Sequence, residues 1–148
     1  MNKQDVIKSL KSRLKDISVP EGVSAIYIYG SILRGNIRSD SDIDISMLAR
    51  HNIDAMERLG LIAHVDAIFT NIFKSIGFYH EVSVLDMKGK YVSLQLLYEV
   101  ITKGVCVYEK SHEERQEFEN AVKGEYFDFV PFLTSLRQRK YGFIYQEA

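Results

Sequence analysis

The sequence predicts an α/β fold with a helical C-terminal tail. Short β-branched and aromatic runs alternate with longer segments of helical periodicity, and glycines or prolines sit at the joints between them. The run Asp42-Ile43-Asp44-Ile45-Ser46-Met47 alternates polar and apolar, as a half-buried strand does. At 148 residues, 46% hydrophobic and 26% charged, the chain has the size and balance of one globular domain, residues 1–148. A chain of this length buries about two-thirds of its unfolded surface unaided. Disorder and collagen-like structure are excluded.

Val6, Leu10, Leu14 and Ile17 recur at helical spacing among lysines and arginines, predicting an amphipathic helix over 3–17 that Pro20-Glu21-Gly22 breaks. Ala25-Ile26-Tyr27-Ile28-Tyr29 reads as a buried strand stopping at Gly30-Ser31. Residues 31–41 read as a turn and a short helix, and 42–47 as the second strand. Apolar side chains from Met56 to Ile76 predict a long helix over 53–77, with Gly60 a possible break. Glu81 to Met87 is the third strand and Lys88-Gly89-Lys90 a turn. A helix over 91–103 ends at Gly104, and Val105 to Tyr108 is a short fourth strand. Ser111-His112-Glu113-Glu114 opens a further helix with a capping-box pattern. Gly124 and Pro131 are expected to divide it into two pieces.

Nineteen Lys and Arg stand against twenty Asp and Glu, a formal net charge of −1, so no general pull toward nucleic acid or anionic membrane is expected. Cys106 is the only cysteine, which excludes an intramolecular disulfide and a cysteine zinc cluster. The polar start Met1-Asn2-Lys3-Gln4-Asp5 has no apolar segment behind it, and no apolar run approaches the ~18 residues of a membrane span. A cytoplasmic setting is expected.

The chemistry concentrates in Tyr29-Gly30-Ser31-Ile32-Leu33-Arg34-Gly35-Asn36-Ile37-Arg38-Ser39-Asp40-Ser41-Asp42-Ile43-Asp44. Asp42 and Asp44, two apart on a strand, emerge on one face. Their charges repel, and each raises the other's pKa unless a cation intervenes. Mg²⁺ accepts a few carboxylates together with phosphate oxygens. Gly30 lets the backbone approach a phosphate closely, and Ser31 adds a hydroxyl at the start of a short helix. Taken separately, a Gly-Ser turn or an Asp-x-Asp strand is commonplace. Their fixed separation, with Arg34, Arg38 and Ser41 between them, makes a triphosphate site with its metal.

Gly30-Ser31, ten residues, then Asp42-Ile43-Asp44 resembles the signature of the minimal nucleotidyltransferases of the DNA polymerase β-type superfamily. The fuller form, with Arg34-Gly35 in the loop and Ser41 before the acids, looks most like the MNT antitoxin branch (MntA-like). Val82 to Met87 resembles that family's acidic third strand, and Ile101 to Tyr108 its helix-Gly-strand-Tyr ending. The likeness covers about residues 20–110, with the tail beyond. It implies a small mixed sheet with flanking helices, ATP as substrate and Mg²⁺ as cofactor. It also implies transfer of AMP to a tyrosine hydroxyl of a HEPN-type (HepT-like) ribonuclease toxin, with this chain as the antitoxin. Gly30 and Ser31 would hold phosphates, helped by Arg34, Arg38 and Ser41, while Asp42 and Asp44 would bind metal and, with Asp86, make up the catalytic acids.

One departure bears on catalysis. The family's third strand often reads Val-Asp-Leu-Val-Asp-Leu, against Val82-Ser83-Val84-Leu85-Asp86-Met87 here. Ser83 replaces the first acid, and only Asp86 matches the second. Three apart, they face opposite sides of a regular strand, so Asp86 serves only if the strand ends or bulges, while Glu81 reaches in from the face of Ser83. General-base catalysis contributes roughly 10²–10⁴-fold, so a missing third acid would slow transfer. Two alternatives stay open: a nucleotide-binding antitoxin that neutralises its partner by occlusion, and a transferase acting on a small antibiotic-type acceptor.

The four histidines show no metal-ligand spacing and read as ordinary surface or partly buried residues. The tail residues Phe118, Val122, Tyr126, Phe129, Phe132, Leu133 and Leu136 carry more apolar surface than a lone terminal helix needs. Packing on the domain is the first reading, and a docking face for a partner or second copy is the alternative.

Overall fold

The computed structural model describes residues 2–35 and 41–145. The chain runs α1 (Lys3–Leu14), β1 (Val23–Tyr29), α2 (Ser31–Arg34), β2 (Ile43–Ala49), α3 (Ala55–Ser75), β3 (Val82–Asp86), α4 (Leu94–Lys103), β4 (Val105–Glu109) and α5 (His112–Tyr145). The strands form one mixed sheet in the order β3-β2-β1-β4. β1 lies antiparallel to β2 and β4, whereas β2 and β3 are parallel. The mixed sheet with flanking helices is the architecture the sequence implies.

Burial follows the pleat. Ile26 and Ile28 of β1 and Ile43, Ile45 and Met47 of β2 point to one face, where Val6, Leu10 and Leu14 of α1 and Val65, Phe69, Ile72 and Phe73 of α3 close over them. The opposite face carries Ala25, Tyr27 and Leu48 against Val100 and Ile101 of α4 and Val122 of α5. β1 is central and covered on both sides, which is why its sequence, apart from the buried Ser24, is apolar and aromatic rather than alternating.

Helix starts obey local chemistry. The side chains of Asn2, Asp54 and Ser93 accept the backbone N–H of Asp5, Glu57 and Leu96 at 2.9, 2.8 and 3.1 Å. The caps set α3 and α4 to begin two or three residues later than the apolar pattern suggests. Gly60 leaves α3 unbroken.

The expected division of the C-terminal region does not occur: α5 is one helix of 34 residues with Pro131 inside it. Proline removes one hydrogen bond and costs about 3 kcal/mol in a helix interior. The bonds on either side remain, and the exposed surroundings leave the freed carbonyl open to water. The first half of α5 is tied down. Glu114 accepts from the Ser24 hydroxyl and pairs with Arg50 at 3.4 Å. Arg115 donates to the Tyr27 hydroxyl at 3.1 Å and pairs with Glu109 at 2.9 Å. Tyr126 stacks on Tyr98 of α4 with centroids 3.7 Å apart. Beyond that point Phe127, Phe129, Val130, Phe132 and Leu136 are exposed. The packing reading thus holds for Phe118 and Val122 but not for the distal stripe.

Candidate active site

The motif lies where β1 ends and β2 begins. Gly30 has φ +81°, a conformation that side chains resist, and a Cβ there would collide with Oδ2 of Asp44. Glycine is thus required twice over: by its backbone and by the carboxylate lying against it. Ser31 starts α2, and Gly35, at φ +72°, ends it in a left-handed cap.

Asp44 is the register partner of Tyr29 on one side and of Ser83 on the other. Asp42 stands exposed one residue before β2. The pKa of Asp44 is raised by burial and by the charge of Asp42, with Arg34 opposing the shift. The like-charge conflict read from the sequence is therefore present. Beside it the Tyr29 hydroxyl is pushed up to about 12 by burial and by Asp44. Two hard carboxylate oxygen donors in electrostatic conflict suit a hard divalent cation. Among the described residues no three His, Cys, Asp or Glu side chains converge as a metal cage. A cation held here would complete its shell with waters and substrate oxygens, the habit of Mg²⁺.

A cleft of about 300 Å³ opens over these residues, lined by Tyr29, Gly30, Leu33, Arg34 and Asp44 on the motif side. Its far wall is α4, with Leu96, Glu99 and Lys103. The sequence reading missed the α4 residues. Glu99 and Lys103, four apart, mark a polar helix face, but only the docking of α4 beside the end of β1 turns that face toward the motif. Arg38 lies outside the described residues, and Ser41 is half-buried just before the acids.

Asp86 is not brought to the site. The β2–β3 register is regular through its pairing with Met47, so it points to the sheet face opposite Asp44. Its carboxylate is engaged by Arg58 Nε of α3 at 2.8 Å and by the Lys88 N–H at 3.0 Å. β3 does end at Asp86, but without a bulge, and the carboxylate stays on the face of Met47, where Arg58 ties it to α3. Glu81 lies next to the motif through its backbone, its carbonyl accepting the Ile43 N–H at 2.8 Å.

The polymerase β nucleotidyltransferase family model matches residues 8–113, the sheet and the motif together. The chain belongs to this family. Solved structures resemble the nucleotidyltransferase along nearly its whole length. A mutant MntA–HpeT toxin–antitoxin structure is 20% identical, with a TM-score of 0.52 and 94% of each chain covered. A toxin–antitoxin structure with AMP-PNP is 22% identical, with a TM-score of 0.53 and the same coverage. A complex of a tri-AMPylated Shewanella oneidensis HEPN toxin with an MNT antitoxin is 19% identical, with a TM-score of 0.52, covering 90% of this chain and 93% of that one. At these identities the likeness establishes the fold. No curated protein matches the nucleotidyltransferase in sequence. None of its described helices is long and apolar enough to cross a membrane.

Proposed function

We propose that the chain is a cytoplasmic antitoxin that transfers AMP from ATP to a tyrosine hydroxyl of a HEPN-type toxin. The observation that carries this reading is the placement of Gly30 against the Asp44 carboxylate at the floor of a cleft large enough to take a nucleotide in part. Solved structures of similar fold that contain a HEPN toxin, a tri-AMPylated toxin or AMP-PNP support the partner and the substrate.

Gly30 and Ser31 let phosphate oxygens approach the backbone, with Arg34 neutralising charge from the rim. Asp42 and Asp44 would hold Mg²⁺, which supplies charge neutralisation on the phosphates when bound. In the transfer, the acceptor oxygen bonds to the α-phosphorus and the bond to the β-phosphate breaks. The electron pair leaves with pyrophosphate, and the hydroxyl proton passes to water. The protein contributes position and electrostatics: Gly30 and Asp44 are locked to adjacent antiparallel strands, so the phosphate and cation sites cannot drift apart.

Intact mass spectrometry of the HEPN partner after incubation with the chain, ATP and Mg²⁺ tests this. Mass added in whole AMP units is expected, and none with Asp42→Asn/Asp44→Asn. A second reading, neutralisation by occlusion, is favoured by Ser83, not an acid, beside Asp44 and by the commitment of Asp86 to Arg58. Under it the partner stays unmodified yet silenced, and the double variant neutralises as well as the parent. The exposed distal stripe of α5 supports a docking role toward the toxin or a second copy.

A further inference from the structure

We infer that Lys103, at the end of α4, is the residue that grips the triphosphate tail of the nucleotide, opposite Gly30 and Arg34. This rests on the nucleotide reading above.

Position is the first argument. Lys103 lines the cleft that holds Gly30, Arg34 and Asp44. The next residue, Gly104, is clamped: its N–H donates to the Val100 carbonyl at 2.9 Å, and a Cβ on it would collide with that carbonyl and press on the Ile28 carbonyl and Tyr29. The end of α4 is therefore fixed against β1 two residues before Gly30. The stem of Lys103 thus starts from a backbone held at a set distance from the motif.

Charge is the second argument. The charged residues lining the cleft are Arg34 and Lys103 against Asp44 and Glu99, which balance. A triphosphate brings several negative charges, and a cation on the carboxylates answers only part of them. Lys103 is paired with Glu99 one helical turn back at 3.8 Å, with side chains 78% and 49% exposed. Such a pair is worth little. A phosphate arriving in the cleft outcompetes Glu99 for the ammonium, because it offers more charge and several acceptor oxygens. Glu99 thus parks Lys103 at the rim and competes with the tail for it.

The test is a binding titration of ATP, ADP and AMP, each with Mg²⁺, to the full chain and to Lys103→Gln, Lys103→Arg and Glu99→Gln. The inference expects Lys103→Gln to weaken ATP by about tenfold while AMP stays within about twofold, with Lys103→Arg restoring most of the ATP affinity. Glu99→Gln should tighten ATP by about two- to threefold and leave AMP alone. Unchanged ATP affinity in Lys103→Gln, or an equal loss for ATP and AMP, overturns the role of Lys103 while leaving the site intact. A parent chain that binds none of the three overturns the nucleotide reading and this inference with it.

Discussion

Asp44 shows how a single residue sets stability against function. Its folded pKa is raised above the ordinary 3.8 by burial and by Asp42. The stabilising contribution of a raised carboxyl is complete below its unfolded pKa and is lost as pH rises through the folded one. At neutral pH the cation-free protein therefore bears a penalty. Asp44→Asn is expected to raise the melting temperature at pH 7, with the gain shrinking toward pH 3, as thermal unfolding at several pH values will show. A destabilised group retained at a site is the pattern of residues kept for binding. Gly30 carries the complementary prediction. Gly30→Ala adds a Cβ in collision with Asp44 at a φ of +81°, a strain of about 1–3 kcal/mol. A lowered melting temperature and at least a tenfold loss of ATP affinity are expected in titrations.

At the scale of elements, β3 and α5 depart most from what their residues suggest alone. β3 keeps its parallel register, so side-chain parity places Ser83, not Asp86, beside Asp44. The sequence posed that alternative, and although β3 ends at Asp86, its unbroken register and the grip of Arg58 decided it. Arg58, far away in sequence and without a motif of its own, is what holds Asp86 away. In α5 Gly124 is overruled because the half that holds it is anchored through Glu114, Arg115 and Tyr126, whereas Pro131 sits in the exposed stretch beyond those contacts. Tertiary contacts settle helix limits more strongly than propensity does. The Gly124 position is open, since a Cβ there meets nothing within 4 Å. Gly124→Ala should raise stability by about 1 kcal/mol, read as a shift in the urea midpoint with unchanged slope.

For the whole molecule, the sheet faces are unequal in what they leave open. One face is closed by α1 and α3, while the other is shared by α4 and the anchored half of α5. The remainder of α5 presents Phe127 and Phe132 at 60% and 56% exposure, with Phe129 and Leu136 beside them. Phe129→Ser with Phe132→Ser removes apolar surface that the chain itself does not bury. Stability should change by no more than about 0.5 kcal/mol. Under the docking reading, affinity for the HEPN partner should fall by about tenfold or more, measured by size exclusion of the mixture. An unchanged complex would place the toxin elsewhere on the molecule.

The local alphabet of the chain was sufficient for the order of helices and strands, the buried character of β1 and the charge conflict between Asp42 and Asp44. Each of these rests on short-range rules: pleat parity, helical spacing, and the backbone freedom of glycine before a return strand. The family signature was legible for the same reason, since its parts lie within one hairpin-like stretch. Tertiary structure alone decided which face of α4 meets the motif, which partner takes Asp86 and whether α5 breaks. Those outcomes depend on residues far apart in sequence whose interaction exists only once the sheet has formed. Lys103 lines the cleft because α4 packs beside the end of β1, and Arg58 meets Asp86 because α3 packs over β3.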